Sequence, residues 1–380
     1  MIKEIIFDLY SNWQNILIGL FIFSCIIQLF YYLFFFSRIL FYKGSNKCNP
    51  VIPVSILICA KNEGISLKKN LPKILAQNYP EFEVIVVNDC SVDDTEEILM
   101  ALKREYHNLK YTTIEQDKKF IHGKKLALTV GIKAAKNELL LLTDADCFPK
   151  SKNWLYQMQQ NFDDKTDIVL GYGGYLSKKG LLNKMIRFDT VFIAIQYLSY
   201  ALAGFPYMGV GRNLAYRKKL FFKNKGFAGH AHILSGDDDL FINKISTKTN
   251  TKIEIHPESY TLSEPKEKFT EWVEQKKRHL TTGIYYKRKY KLLIGSEIIS
   301  RFFFYLSFLI LMILKINFEQ ILFVFILRMI IQGVIIKKLM NKFYEKGFFL
   351  FTYIFDIILP IINLYLLFSN YFFSKRNKWT

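Results

Sequence analysis

Glu138-Leu139-Leu140-Leu141-Leu142-Thr143-Asp144-Ala145-Asp146 sets a short apolar run directly against two carboxylates one residue apart. Such a run, bounded by polar residues, suits a strand buried on both faces of a parallel sheet. Asp144 and Asp146 then stand together at its carboxyl end. Working outward, 54–59 (ValSerIleLeuIleCys), 83–87 (GluValIleValVal) and 110–114 (LysTyrThrThrIle) read as three more strands. Helices are expected over 66–77, from about residue 93 with Ser91 or Asp93 as N-cap, and over Lys124–Ala135. Strands alternating with helices predict an α/β domain with a mostly parallel sheet. Sheets of this kind bind ligands at the carboxyl ends of their strands. Three of these strands end in polar clusters: AlaLysAsnGlu (60–63), AsnAspCysSer (88–91) and AspAlaAsp (144–146).

The flanks differ in composition. Residues 16–36 carry no charge and are long enough to cross a bilayer core. Arg38, Lys43 and Lys47 follow them, which places the side after the span in the cytoplasm. Without a small-residue cleavage site this reads as an anchor, not a removed signal. Three further apolar runs, roughly 298–315, 319–336 and 347–369, suit helices separated by a turn near Asn317 and a basic loop Lys337–Lys346. The expected organisation is an N-terminal transmembrane anchor (1–45), a cytoplasmic catalytic domain (50–297), C-terminal transmembrane helices (298–370) and a basic tail (371–380). Four crossings would put Lys375, Arg376 and Lys378 outside, against the charge bias, unless the last run is interfacial or re-entrant. Arg328 and Asp356, inside these runs, read as a structural ion pair in preference to a substrate-handling pair.

Hydrophobic residues make up 51% of the chain, with 35 Phe and 23 Tyr, and the apolar residues pile up at both ends, consistent with a membrane protein. The formal charge of +19 points to an anionic partner or to positive loops beside membrane spans. The basic residues form no basic-aromatic stripe, so a nucleic-acid binder is disfavoured. Cys25, Cys48, Cys59, Cys90 and Cys147 are odd in number and form no CxxC, so neither a disulfide framework nor a zinc site is expected.

Two carboxylates at one strand end can approach one hard cation, and Mg²⁺ or Mn²⁺ bridged to substrate phosphates fits that donor set. A metal there offsets charge on a departing diphosphate. Asp89 can accept hydrogen bonds from a base N–H or a ribose hydroxyl, while Ser91, Asp93 and Asp94 suit helix capping. Lys124, after Gly123, stands at a helix start from which it could reach a phosphate or the sugar, or remain a solvated charge. Among Asp237, Asp238 and Asp239 one carboxylate could take the proton of an acceptor hydroxyl, the plainer reading being an acidic helix start. Gln275, Arg278 and His279 could grip the diphosphate and acceptor, or form a solvated basic helix face.

The order of these motifs resembles glycosyltransferase family 2, specifically its membrane-bound cellulose-, hyaluronan- and poly-N-acetylglucosamine-synthase-like members with the GT-A fold. The likeness spans roughly residues 50–300. The family's Pro-x-x-Asn-Glu corresponds to Ala60, Asn62 and Glu63, with Ala60 in the proline place. Its Asp-Asp-Gly-Ser appears as Asn88-Asp89-Cys90-Ser91. The Gly-Lys segment matches Gly123-Lys124, and Asp-x-Asp is intact at Asp144 and Asp146. Gly209-Val210-Gly211-Arg212-Asn213 matches a stretch that lines the acceptor side. Thr-Glu-Asp falls on Ser235-Gly236-Asp237, which makes Asp237 the base and Asp238 its alternate. Gln-x-x-Arg-Trp appears as Gln275, Arg278 and His279, with His in place of the Trp that holds the acceptor sugar in processive enzymes.

The resemblance implies an inverting transfer from a nucleotide-sugar, UDP-linked or carrying another nucleoside diphosphate, assisted by Mg²⁺ or Mn²⁺. It sets Ala60, Asn62, Glu63, Asp89, Lys124, Asp144, Gln275 and Arg278 on the donor side, and Gly211, Arg212, Asn213 and His279 on the acceptor side. The leading expectation is transfer of one sugar to a lipid or lipid-linked glycan acceptor at the inner membrane. A processive polysaccharide synthase and a non-catalytic membrane scaffold are the alternatives. The aromatic segment Leu181–Leu202 reads either as an interfacial helix guiding a lipid acceptor or as a core helix.

Overall fold

The computed structural model describes residues 2–44, 50–116, 123–233 and 235–372, with side chains described from residue 12 to residue 370 of these. Cys48, Lys47 and the basic tail residues Lys375, Arg376 and Lys378 lie outside them. The strands are β1 (Val54–Ala60), β2 (Phe82–Asp89), β3 (Leu109–Ile114), β4 (Leu139–Leu142), β5 (Cys147–Pro149), β6 (Ile168–Gly171), β7 (Gly173–Tyr175), β8 (Leu214–Arg217), β9 (Thr251–Glu254) and β10 (Thr261–Ser263). The helices of the central region are α3 (Gly64–Leu75), α4 (Thr95–Glu105), α5 (Lys124–Ala134), α6 (Trp154–Gln159), α7 (Leu181–Leu202), α8 (Lys218–Lys223), α9 (Asp239–Ile245) and α10 (Phe269–Leu280). Before them come α1 (Ile2–Phe30), extended by wider π turns over Tyr31–Phe36, and the short α2 (Arg38–Phe41). After them come α11 (Arg288–Ile313), α12 (Phe318–Lys342) and α13 (Thr352–Phe372).

The main sheet runs β3-β2-β1-β4-β8-β6-β9, and a small sheet runs β5-β10-β7. All neighbours in the main sheet are parallel except β8, which is antiparallel to both β4 and β6. Chain order reverses between β1 and β4, and that reversal opens a crevice at their carboxyl ends. The four leucines of β4 explain its central place. Leu140 and Leu142 enter the apolar layer that holds α5 and α7, while Leu139 and Leu141 enter the opposite layer with α3 and α6. All four are at most 4% exposed, and each such burial is worth about 1.5–3 kcal/mol. A strand with no polar side must end where the chain can meet water, and there Asp144 follows.

One helix start and one loop differ from the sequence reading. The N-cap of α4 is Asp94, which makes no side-chain cap. Ser91 Oγ instead accepts the Asn62 N–H at 2.9 Å, and Asp93 accepts the N–H groups of Gly64 and Thr95. These side chains tie the loops after β1 and β2 together, because parallel neighbours bring both loops to one edge. The basic loop Lys337–Lys346 is also shorter than expected. Lys337, Lys338 and Lys342 belong to α12, whose Ile335, Ile336, Leu339 and Met340 are buried in the main core.

Among the described residues, four helical stretches are long and apolar enough to cross a membrane: Asn12–Phe41, Arg288–Ile313, Phe318–Lys342 and Phe349–Asn370. Arg328 and Asp356 pair at 3.5 Å, joined by Arg301, which bonds both Asp356 (3.1 Å) and Glu297. The expected pair is thus part of a buried four-member cluster, in which each charge has an opposite partner. Helix α7 does not offer its surface to lipid. From Asn183 to Ala201 nearly all its residues are buried, and they join the sheet to the N-terminal helix through Tyr200 against Phe35 and Phe36. The reading of Leu181–Leu202 as a lipid guide is therefore corrected: its aromatic side chains fill protein, not membrane.

Candidate active site

Around Cys59, near the end of β1, four charged side chains converge. Its thiol is held well above the ordinary range first by burial and then by Asp237, Asp144 and Asp89, against the opposing Lys124. Residues far apart in the chain thus share one neighbourhood. Lys124 is the link: its Nζ lies 2.8 Å from Asp144 Oδ1 and 3.1 Å from Asp237 Oδ2. Burial works against its ammonium, but Asp144, then Asp237 and Asp238, outweigh that and hold it well above the ordinary lysine range. Its neighbour Lys125 turns away and donates to the carbonyls of His230 and Ile233.

The paired carboxylates behave differently. Asp144, with Lys124 against it and Arg212 and Arg278 nearby, lies below the ordinary range despite burial. Asp146 is pushed up by burial and by the Asp144 carboxylate. Glu63 is raised by burial, and Asp146 and Asp144 add to it. Three carboxylates therefore crowd one corner. Asp144, Asp146 and Cys147 offer possible ligand atoms within 4.8 Å of one another. The thiol does not suit a hard cation: Cys147 is buried, raised well above its ordinary range by that burial and Asp146, and 2.8 Å from Ser263 Oγ. The repulsion that raises Asp146 is what a divalent ion on carboxylate oxygens would relieve, so the residues fit one.

The three aspartates before α9 have separate surroundings. Asp237 faces Lys124. Asp238 is committed to backbone: Oδ1 accepts the Asp239 N–H and Oδ2 the Gly211 N–H, each at 2.7 Å. A Cβ on Gly211 would stand 3.3 Å from both Asp238 Oδ2 and Lys124 Nζ, so a glycine lets this backbone approach. Burial, then Asp237 and Asp239, raises Asp238 to about 7. Asp239 is buried and accepts from Thr282 and Tyr286.

Other expected site residues sit less uniformly. Asp89 is fully buried at the end of β2. Ala60 is buried among core side chains and presents no polar atom beyond its backbone. Asn62 is exposed in a left-handed conformation, φ 55°, with Oδ1 accepting the Val92 N–H. Asn213 points into the core: its amide donates to the Tyr172 and Ser259 carbonyls and accepts from Trp154. That leaves it no free face for an acceptor. Arg212, expected beside it on the acceptor side, lies near Asp144 and Asp146, its guanidinium 4.5 Å from the centre of the Tyr175 ring. Thr143 and Thr261 hold the Arg212 carbonyl at 3.0 and 2.9 Å, and its buried Nη1 has no partner among the described residues. Gln275 approaches the same Tyr175 hydroxyl at 3.4 Å, Arg278 acts on Asp144, and His279 stays exposed at the end of α10.

Sequence reasoning missed Tyr175, which underlies Arg212, and the buried pair Lys276–Asp189. Lys276 Nζ lies 2.9 and 2.8 Å from the two Asp189 oxygens and pins α10 to α7. Asp189, the one carboxylate in a largely apolar helix, was the available signal, since a buried carboxylate requires a partner.

A parallel-stranded α/β sheet with an Asp-x-Asp at its central strand end and a cation between that motif and a second acidic turn is the arrangement of a GT-A nucleotide-sugar transferase domain. Residues 55–225 match the family model for Glycosyl transferase family 2, and the central region is a glycosyltransferase family 2 domain with the GT-A fold. The chain is 30% identical over 172 residues to a poly-β-1,6-N-acetyl-D-glucosamine synthase of Staphylococcus epidermidis, a match covering 44% of this chain and 40% of that one. It is 28% identical over 158 residues to the enzyme of that name from Staphylococcus aureus strain COL, covering 40% and 37%. The matches thus span about two fifths of these curated relatives. In overall fold it is similar to the mannosyltransferase PcManGT of Pyrobaculum calidifontis, solved with GDP-Man and Mn²⁺: TM-score 0.63 at 16% identity, covering 95% of this chain and 99% of that one.

Proposed function

We propose that this protein is a metal-dependent, inverting glycosyltransferase that moves a sugar from a nucleotide-sugar, UDP-linked in our reading, to a hydroxyl of a lipid or lipid-linked glycan at the cytoplasmic face of the inner membrane. The observation that carries the reading is the Asp144–Lys124–Asp237 bridge, which sets the metal motif and the candidate base on either side of one cation. Asp144 and Asp146 would hold Mg²⁺ or Mn²⁺, which supplies positive charge to the diphosphate. Arg212, whose Nη1 has no partner among the described residues, together with Arg278 and Lys124 adds cationic donors to the same corner. Asp89, deep at the end of β2, takes the nucleoside, and Glu63 borders it. Asp237 accepts the proton of the acceptor hydroxyl as that oxygen attacks the anomeric carbon and the nucleoside diphosphate departs. Asp238 holds the Gly211 turn and Asp239 is buttressed by Thr282 and Tyr286, so neither is as available for proton transfer. The cytoplasmic domain is bounded as 50–297 in this proposal.

A second reading, repeated transfer to build a polysaccharide, is favoured by the activity named for the staphylococcal relatives. Opposed to it stands His279, exposed where processive enzymes resembling this one carry Trp. Membranes containing the protein, given radiolabelled nucleotide-sugars and lipid extract, distinguish the two. A single labelled lipid supports the first, a ladder of long products supports the second, and no turnover of any donor defeats both.

A further inference from the structure

Helix α13 is as apolar as the crossing helices, yet it packs differently. The outer part of the membrane bundle is a cluster of Phe21, Cys25, Phe304, Leu311 and Ile321, with partly buried neighbours from α1, α11, α12 and the turn between the last two. No described residue of α13 belongs to it. Phe355, Leu359 and Ile362 of α13 belong instead to the core that holds the catalytic sheet and α7.

Both ends of α13 touch the catalytic region. Just before it, Glu345 accepts from Tyr172, which follows β6, at 3.0 Å and from Arg187 Nε of α7 at 2.8 Å. Phe355 packs on Phe188 of α7, with ring centres 5.6 Å apart. At the far end, Ser369 accepts from Lys277 Nζ at 3.0 Å, and Asn370 donates to the Lys277 carbonyl at 2.8 Å. Lys277 lies on α10, which carries Gln275, Arg278 and His279. A helix of 21 residues is about 31 Å long, matching a hydrocarbon core of about 30 Å. One that crossed that core would carry its last turn away from the domain its first turn touches. Here both turns stay on the domain.

We propose that α13 does not cross the membrane. It lies in the cytoplasmic headgroup region as an interfacial helix, so the chain crosses three times, through α1, α11 and α12, and its C-terminal tail is on the same side as the catalytic domain. The two faces of α13 fit this. Phe355, Leu359, Ile362 and Leu366 face protein, while Ile354, Ile357, Ile361, Leu364, Tyr365 and Phe368 form an exposed apolar stripe. Its partner is the acyl region of the inner leaflet. Asp356, in the second turn of α13, meets Arg301 of α11 and Arg328 of α12, which fixes the start of the helix against the bundle. Three crossings also bring the basic tail to the side that the charge bias requires. Because α10 is pinned to the end of α13, the membrane surface lies directly behind the cleft.

The test reads topology, not transfer, and so stands apart from the proposed activity. Cysteines are added singly to the full chain as Glu97→Cys on α4, Glu319→Cys at the start of α12 and Thr380→Cys. A membrane-impermeant maleimide is applied to sealed right-side-out and inside-out vesicles, each read against the parent protein. Thr380→Cys should label in the orientation that labels Glu97→Cys and not in the one that labels Glu319→Cys. Labelling of Thr380→Cys together with Glu319→Cys overturns the proposal. Protease digestion of a C-terminal epitope tag on the otherwise unaltered chain gives the same reading if a cysteine variant fails to insert. Digestion in inside-out vesicles is expected, and digestion in right-side-out vesicles refutes three crossings. If Glu97→Cys labels from outside, the cytoplasmic placement of the domain fails while the same-side result for the tail is still decided.

Discussion

Substituting Asp237 and Asp238 one at a time separates proton transfer from architecture. Asn at 237 keeps the shape and leaves Lys124 paired to Asp144, but it removes the carboxylate proposed as the base. Loss of a general base lowers turnover about 10²–10⁴-fold, or about 3–5 kcal/mol of barrier. Asp237→Asn should therefore bind donor with nearly unchanged affinity, melt near the parent temperature and transfer sugar at a hundredth of the rate or less on that scale. Asp238→Asn should do the reverse. Asp238 uses one oxygen on Gly211 and the other on Asp239, and an Asn offers only one acceptor. The lost bond leaves a backbone N–H unsatisfied, costing about 1–3 kcal/mol of stability, with a smaller effect on turnover. Purified protein in detergent or nanodiscs, assayed for labelled-sugar transfer, donor affinity by calorimetry and thermal unfolding, measures all three quantities. If Asp237→Asn keeps most of its turnover, or Asp238→Asn loses transfer without losing stability, the assignment of the base is wrong.

Asp146→Asn should abolish the response of transfer to added Mn²⁺ or Mg²⁺ while the protein still inserts; full activity of the parent in excess chelator would refute a metal held there. Stability should carry a pH signature of Asp238. Its folded carboxyl titrates near 7, above the ordinary 3.8, so the folded state keeps a proton that the unfolded chain has released, and this contribution is lost as pH rises from about 4 through about 7. Unfolding curves of the parent minus those of Asp238→Asn should show that decline, and a flat difference would contradict it. Asp189→Asn strands the Lys276 ammonium in the core at a cost of about 3–5 kcal/mol, and should lower both melting temperature and turnover; an unchanged protein would mean that α10 is held by its apolar contacts alone. Arg278→Ala should reduce turnover while leaving melting unaltered, read by the same transfer assay, and equal turnover would remove Arg278 from the diphosphate corner.

Much of this architecture was legible in the chain because it depends on local rules. Four leucines in a row must be buried, a buried strand must end in something polar, and β1, β2 and β4 each announce their ends with Asn, Asp or Glu. The apolar runs at both termini follow from length and charge in the same way. Their bounds moved by several residues, since α1 and α12 continue as helices into the protein core beyond the stretch that lipid requires.

What the sequence could not supply is which partner each side chain meets. Asp237 and Asp238 are neighbours of the same type; only the fold aims one at Lys124 and the other at Gly211. Asn213 and Arg212 are adjacent in one motif, yet one is used up inside the core and the other stands by Asp144 and Asp146. Helices α7 and α13 both read as largely apolar on paper, but one is covered by protein on nearly all sides and the other on one side only. The chemistry of each residue is local and readable, whereas its neighbours come from other segments, some twenty and some over a hundred residues away, and those contacts exist only once the chain is folded.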